Sequence, residues 1–126
     1  MPIIAVPSEK KGGLNDFLNL RFGKCNSITI ISIEDGNIES VKVVPIYNTE
    51  TIGNLGIHIA EIIGQNKVSN VVIGYIGKKA FQSLNSQNIK IFQAIDERIT
   101  VKKCFDLFIQ GKLIEIKEPN AHLIKE

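Results

Sequence analysis

Between Ser27 and Ile46 the chain reads SITIISIEDGNIESVKVVPI, two runs rich in β-branched residues meeting at Asp35-Gly36. Branched side chains suit the pleated surface of a strand, and a tight hairpin turn needs a positive φ that glycine adopts at little cost. This stretch therefore commits the chain to an antiparallel hairpin, with Ile31, Ile33, Ile38, Val41 and Val43 as candidate inward positions.

The segments around the hairpin decide what sheet it joins. PIIAVPS ahead of it is a short apolar run closed by Pro7 and Ser8, which reads as a buried strand. Between them lies SEKKGGLNDFLNLRFGKCN, broken by Gly12-Gly13, where Leu14, Phe17, Leu18 and Leu20 could form one amphipathic turn. After the hairpin, Leu55, Ile59, Ile62 and Ile63 fall at helical spacing, predicting a helix from about Gly53 to Gln65 with Thr49 or Thr51 as its cap. VSNVVIGYIG lacks polar alternation, as a strand covered on both faces does. A second helix follows around Ala80, Phe81 and Leu84, then a strand IKIFQA. A third helix carries Val101, Cys104, Phe105 and Phe108 on one stripe and ends at Gly111. A hairpin followed by alternating helices and strands implies an α/β fold. It should have three layers, a mixed five-stranded sheet in the order 3-2-1-4-5 with helices on its faces, the ribonuclease-H-like layout. Residues 1–116 should form this single domain, and 117–126, KEPNAHLIKE, a loose polar tail.

Several function classes are disfavoured by what is missing. A nuclease of this layout needs clustered carboxylates to hold divalent metal, and neither IIAVPS nor VVIGYIG contains an acid. Nucleophilic catalysis has only His58 and His122 to draw on, with no Gly-x-Ser-x-Gly elbow. A formal charge of +2 over 126 residues is far from that of a dedicated nucleic-acid binder, so no nucleic acid partner is expected. The start MPIIAVPSEKK has no basic leader before an apolar segment, and no apolar run approaches the ~20 residues of a membrane span. A cytoplasmic location with no membrane association is expected, where two cysteines stay as thiols.

Two features offer chemistry. GNLG (Gly53 to Gly56) opens the first helix and GYIGKK (Gly74 to Lys79) joins a strand to the second. If their strands are neighbours, both converge where open α/β sheets place ligands, and the helix N-termini with Lys78 and Lys79 would cradle an anion. Ordinary turn geometry explains the same glycines. The other feature is Cys25, in a stretch with Lys10, Lys11, Arg21 and Lys24. Such surroundings should favour the thiolate, a soft ligand for an iron–sulfur cluster delivered already built. The alternative is a small packing residue at the strand entrance. His58, between Ile57 and Ile59, could reach the cleft as a weak ligand, whereas Cys104 reads as core.

The motifs RFGKC, IEDGNIESVKVVP, GNLGIHIAEII, VVIGYIGKKAFQSLNSQNIKIF and TVKKCFDLFIQGKL, in this order, carry a resemblance nearly end to end. The chain resembles the dinitrogenase iron-molybdenum cofactor biosynthesis family, which includes NifX, NifY and the C-terminal domain of NifB. The resemblance implies a ribonuclease-H-like domain that binds or carries iron–sulfur or iron–molybdenum-type cofactor precursors rather than catalysing a reaction. It turns Arg21, Phe22, Gly23, Lys24 and Cys25, with Gly53, Gly56, Gly74 and Gly77, toward the cofactor, and makes cofactor-assembly or acceptor proteins the partners. Two other classes stay open, a regulatory domain binding a small anion or nucleotide and a protein-interaction module. The hairpin's outer edge leaves a monomer or a weak homodimer as the expected state.

Overall fold

The computed structural model describes residues 2–47, 55–94 and 98–123. Its strands are β1 (Ile3–Ser8), β2 (Ser27–Glu34), β3 (Asn37–Pro45), β4 (Asn70–Ile73), β5 (Lys90–Gln93) and β6 (Ile114–Glu115). The helices are α1 (Leu55–Gln65), α2 (Lys78–Ser86) and α3 (Val101–Ile109), with single 3-10 turns at Phe22–Lys24 and Ala121–Leu123. The sheet order is β3-β2-β1-β4-β5-β6. Strands β3, β2 and β1 run antiparallel, while β4 lies parallel to β1 and β5 parallel to β4. The five expected strands stand in the expected order. A sixth of two residues, too short for any sequence period, pairs antiparallel with β5.

Period-2 alternation divides the core into two halves. Ala5, Ile28, Ile30, Val71 and Ile73 face Ile59, Ile63, Phe81 and Leu84 of α1 and α2. Their neighbours Ile4, Val6, Ile31, Ile33 and Val72 face Val101, Cys104 and Phe105 of α3. Cys104 is therefore core. Thr100 caps α3, its hydroxyl accepting from Lys103 N at 3.1 Å, and Gly111 ends it at φ 69°.

The hairpin turn is built as its residues dictate, with Asp35 at φ 53° and Gly36 at φ 77°. A register shift at Ser32/Ile33 leaves Glu39 unpaired, so Ile38 and Val41 lie on one face. Ile38 packs against the α3 half of the core, but Val41 and Val43 are 38% and 37% exposed. That corrects their inward assignment: β3 is an edge strand, and α3 packs on β1 further in.

The Leu14–Leu20 stretch also departs from expectation, forming no helical turn. Leu18 and Phe17 instead make isolated bridges to Ser8 and Thr100, and Leu18 is buried. Asp16 organises the preceding loop, its carboxylate accepting from Lys10 N and Gly12 N at 2.8 Å and from Phe17 N at 2.7 Å. Beneath the loop, the buried Ser8 hydroxyl meets Ser27 Oγ at 2.6 Å and Thr29 Oγ1 at 3.0 Å. The predicted start of α1, with Gly53, Thr49 and Thr51, lies outside the described residues.

Within the stretch read as a tail lies Asn120. It is buried, and its side chain bonds the backbone following β4.

Candidate functional site

Beyond Ile73 the chain bends at Gly74 and bridges again at Tyr75, and this extension gathers the site. Tyr75 N donates to Leu20 O at 2.7 Å and Phe22 N donates to Tyr75 O at 3.0 Å, a parallel bridge between Arg21 and Tyr75. The buried Phe22 ring then anchors the 3-10 turn that presents Gly23. Gly23 lies so close to α1 that a Cβ placed on it would meet Gly56 Cα and N at 3.7 Å. One on Gly56 would come within 3.2 Å of Ala80 Cβ on α2. Glycine at 56 thus lets α1 lie close against Ala80 of α2, with Gly23 in ordinary van der Waals reach of it.

Together they line a hollow of about 320 Å³ formed by Gly23, Gly56, Ile57, Gly77, Lys78, Lys79 and Ala80. The hollow has the size of a small-ligand site. Gly77 is the N-cap of α2, extended at φ −79° and ψ 168°, and no side chain caps the helix. The first-turn N–H groups of a helix have no intrahelical acceptor, and its dipole places partial positive charge there. Lys78 and Lys79 are exposed and carry two ammonium groups at the same end. The arrangement suits an anion that brings its own acceptor atoms.

Of the residues singled out in the sequence, Gly23, Gly56 and Gly77 come together here. Lys24 is exposed beside Gly23, and Arg21 is half-buried on the Tyr75 bridge. Gly74 is buried away from the rim, where a Cβ would fall 2.8 Å from Leu20 O. His58 is exposed on α1 and is not among the lining residues. Gly53 lies outside the described residues. Sequence reasoning missed Ile57, which its helical neighbours conceal, and Asn120, whose place in a polar tail gave no sign of burial.

Cys25 requires a correction. It is 1% exposed and packs in the same half of the core as Phe22 and Ile28. Burial pushes its thiol from an ordinary value near 9 up to about 12, outweighing its backbone hydrogen bond. The expected thiolate is a protonated, shielded thiol, because burial withholds the solvent that a thiolate needs. Two results follow. Native protein at pH 8 should be alkylated at Cys25 at least about a hundredfold more slowly than unfolded chain, as a mass-spectrometric time course would read. The folded pKa is raised, so the stabilisation is complete below about 9 and is lost as pH rises from there toward 12. Urea titrations of wild type against Cys25→Ala should show wild type losing up to about 1.4 kcal/mol more per pH unit over that window.

Among the described residues, no group of three or more His, Cys, Asp or Glu side chains is placed to hold a metal ion, and neither cysteine is in a disulfide. No described helix is long and apolar enough to cross a membrane.

The sequence profile described as "Dinitrogenase iron-molybdenum cofactor" matches residues 2–111. The chain belongs to the dinitrogenase iron-molybdenum cofactor family. Among family-like structures it is similar to the apo form of the orange protein from Desulfovibrio gigas, 26% identical with a TM-score of 0.84 over 95% of this chain and 97% of that one. It is also similar to a Thermotoga protein that carries the name NifB, 26% identical with a TM-score of 0.74 over 91% and 93%. An uncharacterized protein of Methanocaldococcus jannaschii is 26% identical over 99 residues, 79% of this chain and 82% of its own. Both solved structures share this chain's fold.

Proposed function

We propose that the protein is a non-catalytic carrier that takes a preformed, anionic metal–sulfur cluster of iron–sulfur or iron–molybdenum type as cargo and passes it between assembly and acceptor proteins. The hollow between Gly23, Gly56 and Gly77 is its seat. The observation that carries this reading is the uncapped N-terminus of α2, flanked by Lys78 and Lys79, facing a glycine-walled hollow of about 320 Å³ in a chain of this family. Backbone N–H groups and ammonium groups can hydrogen-bond the sulfides of a finished cluster and offset its charge without replacing its ligands. Cys25 has no part in this seat. Its buried, protonated thiol is a packing group, so the cargo is held by charge and hydrogen bonds rather than by a protein–metal bond.

Anaerobic mixing of the protein with a preformed iron–sulfur cofactor precursor, then gel filtration with iron quantification, tests the reading. Iron should elute with wild type and with Cys25→Ala, while Lys78→Ala/Lys79→Ala should bind roughly a hundredfold more weakly, two charge-assisted contacts having been lost. Iron lost only with Cys25→Ala would replace this seat by a thiolate ligand. The same N–H groups also suit phosphate oxygens. A protein that takes up no iron but gains thermal stability from phosphate-bearing ligands would be a small-anion-binding domain instead.

A further inference from the structure

The family match ends at residue 111, yet the chain beyond it returns to the site. Asn120 is 5% exposed, and its Oδ1 accepts from Ile76 N at 2.8 Å while its Nδ2 donates to Gly74 O at 2.9 Å. Asn120 N and Ala121 N both donate to Ile76 O, at 3.2 and 3.0 Å. The extension after β4 is thus gripped along both edges. Tyr75 uses its backbone groups on Leu20 and Phe22, and Gly74 and Ile76 use theirs on residues 120–121. The next residue is Gly77, the N-cap of α2.

The geometry points to residues 117–123 as a detachable strap that, through Asn120, presets the Gly74–Gly77 turn and so regulates the affinity of the hollow for its anionic cargo. The strap's hold is almost wholly polar. Within 117–123 only Asn120 is buried, and Leu123 is 57% exposed, so the strap can leave without opening either half of the core. When it leaves, Ile76 N–H, Ile76 O and Gly74 O lose their partners together. The backbone entering α2 then keeps its hydrogen bonds only at Tyr75, beside the buried Ile76 side chain, and the first-turn N–H groups are less firmly fixed in direction. An anion that needs those groups aligned must supply the ordering itself, and its affinity falls accordingly. Linkage requires the converse: bound cargo must favour the docked strap by the same factor.

This rests on the reading that the hollow takes an anionic cluster, and the test separates the two. Wild type, Asn120→Ala and a chain ended after Ile116 would each be mixed anaerobically with a preformed thiolate-ligated iron–sulfur cluster. Cluster affinity would be read by equilibrium gel filtration, and Ile76 amide exchange by hydrogen–deuterium exchange with and without cluster. The expected result is roughly tenfold weaker binding by Asn120→Ala, as two buried hydrogen bonds imply, and at least that loss by the shortened chain, which gives up four. Ile76 exchange should be faster by a similar factor in the altered chains, and slower in wild type once cluster is bound. A purely structural role for Asn120 would not give that last response. Equal cluster affinity in all three chains, with exchange at α1 and α3 unchanged, would overturn the strap's role. Binding by none of them would overturn the cargo reading and the affinity role with it. Ile76 exchange in the same samples would then decide whether the strap presets the turn at all.

Discussion

Gly74→Ala should lower the thermal midpoint by about 10 °C while Gly77→Ala, three residues on, leaves it within about 1 °C. A methyl on Gly74 would lie 2.8 Å from Leu20 O and 3.0 Å from Leu20 Cα, both backbone atoms. They cannot withdraw, because Leu20 O accepts from Tyr75 N at 2.7 Å and Phe22 N donates to Tyr75 O at 3.0 Å. Overpacking against fixed backbone costs about 2 to 3 kcal/mol, and each kcal/mol moves the midpoint of a domain this size by roughly 4 °C. At Gly77 a Cβ meets nothing within 4 Å, and its φ of −79° is ordinary for any residue. Scanning calorimetry of the two variants side by side would decide it. Equal midpoints would mean that Leu20 and Gly74 do not approach as closely as described.

Phe22→Ala should cost about 4 kcal/mol, the second large effect, read as a shift of the urea midpoint at unchanged slope. The ring is 1% exposed and packs in the core half that includes Cys25, Ile28 and Ile76, so its removal leaves a cavity under the 3-10 turn. Phe22→Leu refills most of that volume and should cost about 1.5 kcal/mol or less. The alanine variant should also weaken cargo binding, since Phe22 is the anchor that holds Gly23 against Gly56. An alanine variant as stable as wild type would show that the turn stands without its anchor.

The sheet was legible because its signals are local. Asp35-Gly36 with β-branched flanks states a hairpin, and an acid-free VVI run states a strand covered on both faces. Coverage by other elements is not local. Nothing in VKVVP says that the α3 half of the core takes in Ile38 but not Val41 and Val43, so both valines read as core although each is more than a third exposed. The candidate site was legible in its glycines and in Lys78 and Lys79, but not around Cys25. Lys24 and Cys25 are adjacent in sequence, yet one side chain is exposed and the other 1% exposed, so proximity along the chain misstated the thiol's surroundings. Gly74 and Gly77 spell one motif and do different work, the first admitting a neighbouring backbone and the second forming the rim. Asn120 needed the fold itself, because only the placement of β4 brings residues 74–76 to it.

The Asp35–Gly36 turn sits at the end of the sheet opposite the hollow. Ile3 pairs with Ser32 near the turn, whereas Ser8, toward the site, pairs with Ser27. A dye or a surface tether attached at that turn would stand a strand's length from the rim. Molecules fixed by it would all face solution with the same side, and exchange of cargo with a second protein could be followed on a sensor chip without the attachment entering the measurement.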